Sequence, residues 1–247
     1  MMSKGGYSWE DHAQWWIDGF TDGVDPEYVE QIIPMALGEL DGYAKVLDIG
    51  CGEGQIARVL QRRNLDNQLV VGVDPTEGQI RVAVERSVGD TYLRSGADGL
   101  PFAAGSFDAV LACLVFEHID ALDDAIAEVS RVLRPNGRFS FFLNHPLLQT
   151  PNSGWIDDQI LDPPEQYWRI GSYLTEAITF EEVEPNVRVR FLHRPLGRYI
   201  NALANHGLML EAMFEPAPPA GFLAKSADYE FAASIPRLLC LRLRKLP

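Results

Sequence analysis

Three glycines at alternate positions, Gly50, Gly52 and Gly54, follow the apolar run Val46-Leu47-Asp48-Ile49 and precede a helical pattern over Gln55 to Arg63. A turn of this composition lets the backbone, with Cys51 in its middle, approach a ligand without Cβ interference. The helix start beyond it offers free N–H groups and positive potential to an anionic group. A second apolar run, Leu69 to Val73, ends in Asp74, twenty residues after Gly54, with Pro75 next. A carboxylate at that strand tip can accept two hydrogen bonds from a ribose diol. This pairing reads as nucleoside recognition.

Two ligand classes fit that pattern, a dinucleotide and S-adenosylmethionine. Asp48 favours the second. A carboxylate inside a buried strand is costly unless it meets a donor or a cation, and a methionine ammonium supplies one where a pyrophosphate does not. The third glycine also falls one residue early for the dinucleotide spacing. A valine at Gly50 is expected to block ligand approach and leave the fold intact.

Candidate proton acceptors are His118 after the fourth strand, His145 after the fifth and His193 at the end of a hairpin; packing within loops is the alternative for each. Aromatic residues gather in two places: Trp9, Trp15 and Trp16 near the start, and Trp155, Tyr167, Trp168 and Tyr173 after the fifth strand. Both groups could wall an apolar acceptor pocket, with Arg169 or Arg194 pairing to a carboxylate or phenolate.

The elements that must carry these residues follow from periodicity. Two N-terminal helices, the second opened by Pro26, form a cap over residues 1–42 that either packs on the domain or covers a ligand. Residues 43–247 then alternate short apolar runs with amphipathic helices, the pattern of βαβ units and a largely parallel sheet. Strands are predicted at Lys45 to Ile49, Leu69 to Asp74, Thr91 to Arg94, Phe107 to Leu114 and Arg138 to Leu143. Asp120 is predicted to cap the crossover helix, with Asp123 and Asp124 in its first turn. An insert over about 145–194 begins irregularly and ends in a hairpin around Pro185-Asn186. A helix over Pro195 to His206 and strands at Leu208 to Phe214 and Leu238 to Leu243 complete the chain.

With 21 basic and 35 acidic residues the net charge is −14, which repels phosphate backbones. The arginines at 188, 190, 194, 198, 237, 242 and 244, with Lys245, read as solvated faces, so no nucleic-acid partner is expected. No apolar run approaches the ~20 residues that span a bilayer, and Met1 to Gly6 lacks a secretion pattern. Cys51, Cys113 and Cys240 are an odd, unpaired set, which speaks against a disulfide framework or a metal site. A cytoplasmic protein with no membrane partner is expected.

From Lys45 to Leu143 the chain resembles the class I S-adenosylmethionine-dependent methyltransferases, in particular the small-molecule branch that includes the ubiquinone and menaquinone biosynthesis methyltransferases. Val46 to Gly54 is similar to the family's first motif and Asp74 to its ribose carboxylate. Leu100-Pro101-Phe102 with Ser106-Phe107-Asp108, and Leu133 to Arg138, resemble its entries into strands four and five. The resemblance implies a Rossmann-like, doubly wound α/β fold: a mostly parallel seven-stranded sheet with an antiparallel edge strand, whose last two strands form an antiparallel pair. It also implies S-adenosylmethionine as cofactor. It places Gly96, Ala97 and Asp98 at the adenine and Leu114 beside the methyl group. Where close relatives read Asp-Ala, this chain has Gly96-Ala97, with Asp98 displaced by two positions. The strand-four tip, Leu114 to His118, lacks the Asn/Asp-Pro-Pro-Tyr sequence of amino-group methyltransferases. The expected activity is methyl transfer to a small, apolar or aromatic acceptor. The alternatives are a NAD-dependent oxidoreductase and a non-catalytic nucleoside-binding protein.

Overall fold

The computed structural model describes residues 8–63, 68–185, 187–225 and 231–247. Its centre is a seven-stranded sheet in the order β10-β11-β5-β4-β1-β2-β3. The strands are β1 (Lys45–Ile49), β2 (Leu69–Asp74), β3 (Thr91–Arg94), β4 (Phe107–Cys113), β5 (Leu133–Asn144), β10 (Leu208–Phe214) and β11 (Leu238–Lys245). Five neighbouring strands, from β3 to β5, run parallel, which requires crossover helices. β11 is antiparallel to both β5 and β10, giving the expected terminal pair at one edge.

Sequence explains the central position of β1 and β4. Val46, Leu47 and Ile49 are fully buried, as are Ala109 to Ala112, because helices cover both faces of a parallel sheet. The crossover helices α3 (Gln55–Arg63), α4 (Glu77–Glu85) and α5 (Leu122–Val132) and the later α6 (Leu196–Asn205) follow the apolar spacing. The aromatic strand β5 fills one face, where Phe139 and Phe141 stack with centroids 5.1 Å apart and Phe116 packs edge-on to Phe141. Strand order reverses between β1 and β4, so a crevice opens at their carboxyl ends.

The chain before β1 forms α1 (Trp9–Phe20), a π-helical turn at Tyr28–Ile32 and α2 (Ile33–Glu39). Ser8 caps α1 and forms a reciprocal capping box with Asp11. One predicted cap differs. The residue preceding α5 is Ala121, without a side-chain cap, because the Asp120 carboxylate is held by Arg190 at 2.5 and 3.0 Å.

The stretch after Leu143, expected to be irregular, contains an antiparallel hairpin of β6 (Gly154–Asp158) and β7 (Glu165–Arg169). Trp155 pairs with Trp168 and Ile156 with Tyr167, and the two indoles meet edge to face. A second hairpin, β8 (Ala177–Glu184) with β9 (Val187–His193), lies where predicted; Asn186 of its turn is outside the described residues. Among the described residues no helix is long and apolar enough to cross a membrane, and no His, Cys, Asp and Glu side chains cluster to hold a metal.

Candidate active site

The crevice at the strand reversal is a cavity of about 370 Å³, within the range of small-molecule sites. Its floor is the β1 tip and glycine turn, from Asp48 to Glu53. Its sides are Asp74 to Thr76 after β2, Ser95 to Asp98 after β3, and Cys113 to Val115 after β4. Trp9 and Trp16 of α1 close it from above. Four separate strand ends therefore converge on one volume, as the doubly wound topology requires.

Asp48 is 2% exposed on a strand flanked by two others, and burial together with nearby Asp74 pushes its carboxyl up to about 8. Asp74 is also buried, which raises its carboxyl. Its oxygens accept from the N–H of Gly52 at 3.1 Å and of Thr76 at 2.8 Å. These bonds tie the glycine turn to the second strand and orient the carboxylate at the cavity wall. Glu53 lines the floor too, but its charge is paired with Arg58 at 2.6 Å and Arg86 at 2.9 Å.

The glycines divide by role. Gly50 has φ +68°, and a Cβ there would lie 2.3 Å from the Val115 side chain, so its substitution would disturb packing between the β1 and β4 loops. This corrects the expectation that a valine at Gly50 would leave the fold intact. Gly54 does not line the cavity: it accommodates the Tyr92 ring, whose hydroxyl donates to the Gly54 carbonyl at 3.2 Å. Cys51 lines the floor with its thiol pushed up by burial, and all three cysteines are free and buried. Pro75, Gly96, Ala97, Asp98 and Leu114 all line the cavity, and Leu114 adopts φ +57°, a left-handed conformation rare for its type.

Of the three histidines, only His118 reaches the cavity. Its Nδ1 donates to the Arg190 carbonyl at 2.8 Å, which leaves Nε2 as the unprotonated nitrogen of the neutral ring. Burial pushes its pKa down to about 4. His145 instead accepts from Leu147 N–H and donates to Glu215 at 2.8 Å, holding the loop after β5. His193 donates to the Tyr173 carbonyl at 2.7 Å and packs on the Tyr173 ring. Both are away from the crevice because hydrogen bonds to partners distant in sequence, the Glu215 carboxylate and the Tyr173 carbonyl, hold the rings elsewhere.

The aromatic assignments also shift. Trp155, Tyr167 and Arg169 belong to the separate β6–β7 hairpin and line neither cavity of this site. Tyr173 also stands apart, and its hydroxyl accepts from Leu196 N–H. Arg169 donates to the Asn152 carbonyl. Arg194 is buried and donates to the carbonyls of Phe116, Ile119 and Asp120, at 3.0, 2.7 and 3.1 Å. It therefore clamps the turn that carries His118, rather than pairing with an acceptor.

A second chamber of about 290 Å³ adjoins the first and shares Trp9, Trp16, Tyr28, Leu114 and His118 with it. Trp15 lines this one, together with Phe20 and Phe191. Trp9 and Trp16 were legible as a pair, since seven residues are two helical turns and place both on one face. Their rings meet edge to face at 5.6 Å, and Trp9 packs on His118 at 4.9 Å. Glu117, behind His118, escaped the sequence reading. It is 3% exposed and accepts from the Asn144 side chain at 2.8 Å, and burial pushes its carboxyl up to about 7.

Comparison with known proteins agrees with this geometry. Residues 47–141 match the model of a methyltransferase domain family, and end to end they span β1 through the middle of β5. A malonyl-[acyl-carrier protein] O-methyltransferase of Enterobacter lignolyticus is 32% identical over 99 residues, which cover 40% of this chain and 38% of that protein. An uncharacterized methyltransferase of Mycobacterium bovis is 34% identical over 131 residues, covering 53% of this chain and 49% of the other. The chain spans between 25% and 49% of the length of the first such curated relatives. A crystal structure of an S-adenosylmethionine-dependent methyltransferase from Mesorhizobium loti superposes with a TM-score of 0.72 at 25% identity, covering 87% of this chain and 96% of that one. Over residues 47–141 the chain therefore carries a methyltransferase domain, on the fold of the S-adenosylmethionine-dependent methyltransferases.

Proposed function

We propose that the protein transfers a methyl group from S-adenosylmethionine to a small, largely apolar or aromatic molecule seated in the second chamber. The observation that carries this reading is the pair of adjoining cavities, which share an aromatic partition at the β4 tip. Their residues fit the cofactor. A buried Asp48 carboxyl without a cation beside it is held up to about 8, which is the environment an ammonium would relieve. Asp74 would hold the ribose, and the backbone around Ala97 with Asp98 at the rim would meet the adenine. When bound, S-adenosylmethionine supplies a methyl group already activated by the sulfonium charge.

The chain's own contribution is alignment and exclusion of water. Trp9 and Trp16 roof the first cavity, so residues 8–42 are read as its lid. His118 presents Nε2 as a hydrogen-bond acceptor, and a pKa near 4 makes it a weak base at neutral pH. An acceptor that is already nucleophilic suits that site better than one that must lose a proton to it. The paired arginines support a small-molecule acceptor over nucleic acid. Arg190 bonds Asp120, Arg198 bonds Asp123, Arg237 bonds Glu27 and Arg242 bonds Glu39, leaving no basic stripe on these residues. A cytoplasmic location agrees with three free thiols.

The test uses S-adenosylmethionine with a tritiated methyl group and a cytosolic extract separated into small-molecule and macromolecular fractions. Label is expected in the small-molecule fraction, and S-adenosylhomocysteine should bind with micromolar affinity while NADH does not. Label only in macromolecules would overturn the acceptor class. Cofactor binding without any transfer would favour a non-catalytic protein.

A further inference from the structure

We infer that the second chamber selects an acceptor bearing a positively charged amine, an inference that rests on the methyltransferase reading above and refines its substrate class. The chamber is lined by four carboxylates, Asp25, Glu27, Glu181 and Glu184, against one guanidinium, Arg237. Arg237 is already engaged: Glu27 accepts from it at 2.9 Å, and its guanidinium lies over the Phe222 ring at 4.1 Å. His118 is neutral in this setting and contributes no cation. Asp25 accepts from Tyr28 N–H. Glu181 and Glu184, on β8 at the mouth, have no cationic partner among the described residues.

The walls point the same way. Trp9, Trp16 and Phe20 present aromatic rings beside those carboxylates, and an aromatic surface ringed by negative charge attracts ammonium groups through both ring quadrupole and Coulomb terms. Two further atoms of the lining are buried without a hydrogen-bond partner. Gln149 Oε1 is an acceptor, which an N–H donor would satisfy, and Trp15 Nε1 is a donor, which a hydroxyl or carbonyl oxygen would satisfy. A compact amine carrying an oxygen acceptor answers all of these groups. A carboxylate ligand would meet an uncompensated negative field.

The experiment titrates three para-substituted phenols of different charge into the protein saturated with S-adenosylhomocysteine: tyramine, neutral 4-ethylphenol and anionic 3-(4-hydroxyphenyl)propionate. Tyramine should bind at least about tenfold more tightly than 4-ethylphenol, and the propionate most weakly. The double variant Glu181→Gln with Glu184→Gln should bring tyramine down toward the neutral probe while S-adenosylhomocysteine affinity stays unchanged. Equal affinities, the reverse order, or no saturable binding of any probe while the nucleoside still binds would overturn the inference. Loss of nucleoside binding by the unaltered protein would instead overturn the methyltransferase reading beneath it.

Discussion

One carboxylate oxygen of Glu10, on α1, accepts from Gly78 N–H at 2.9 Å and the other from Glu77 N–H at 2.8 Å, so the roof over the cavity caps the first turn of α4. Thr76, which precedes that helix, makes no side-chain cap of its own. Glu10 thereby satisfies two orphan donors and places negative charge at a positive helix end.

That bond gives the first prediction. Glu10→Ala should cost about 1 kcal/mol of local stability, as loss of an N-cap does. Amide exchange should rise in α1 and in the first turn of α4, and S-adenosylhomocysteine should bind several-fold more weakly because Trp9 and Trp16 are less well held. Unaltered exchange in α1 would show that other contacts, such as His12 to the Arg188 carbonyl, suffice to dock it.

Asp48 gives a prediction about protons. Its carboxyl, raised to about 8, is largely protonated at pH 7 in the free protein. An arriving ammonium would favour the carboxylate, so nucleoside binding should release up to one proton. Affinity for S-adenosylhomocysteine should therefore increase with pH up to about 8 and level off above it, and calorimetry in buffers of different ionisation enthalpy would count the proton. The stability sign is the reverse. A raised folded-state pKa gives stability that is present at low pH and lost as pH rises through about 8. Asp48→Asn should thus raise the melting temperature at pH 9 while weakening binding. Binding heats independent of buffer would refute the assignment.

The parts of this molecule that sequence made legible are those where burial forces a pattern. β1, β2 and β4 read as apolar runs because they are covered on both faces, and Asp48 within β1 and Asp74 at the end of β2 stood out as charges. The β6–β7 hairpin did not, because neither of its faces joins the main core, so partly exposed residues alternate only weakly. The histidines failed differently. Chain position puts His118, His145 and His193 all near strand ends, but ring direction depends on which carbonyl or N–H each meets. Partners such as Glu215 and the Tyr173 carbonyl, 70 and 20 residues away, leave no local signature. Arg194 was misread for the same reason: three carbonyls of a single turn consume its donors.

Gly50 separates packing from binding. Because a Cβ there would fall 2.3 Å from Val115 Cγ2 and the backbone is left-handed, Gly50→Ala should destabilise the fold by roughly 1–3 kcal/mol. Val115→Ala in the same chain should recover part of that loss, with a coupling above about 0.5 kcal/mol in a double-mutant cycle read by chemical denaturation. Purely additive losses would mean that the strain is in the backbone alone.

Asp74 supports the turn and, on the proposed function, grips the ribose, so its substitution must distinguish the two duties. Alanine would orphan both Gly52 and Thr76 N–H and confuse them. Asparagine keeps an oxygen for Thr76 N–H but places an amide donor where Gly52 N–H needs an acceptor and where a diol would donate. Asp74→Asn should therefore fold, with a melting temperature lowered by a few degrees for roughly 1 kcal/mol lost. Its affinity for S-adenosylhomocysteine should fall about 10- to 100-fold, as expected for one or two charge-assisted bonds of about 1.5–3 kcal/mol. The check is calorimetric titration beside thermal denaturation with and without the nucleoside. If the ligand-induced rise in melting temperature matched that of the unaltered protein, the second strand would not end at the sugar, and the polar wall at Ser95 to Asp98 would have to supply that grip instead.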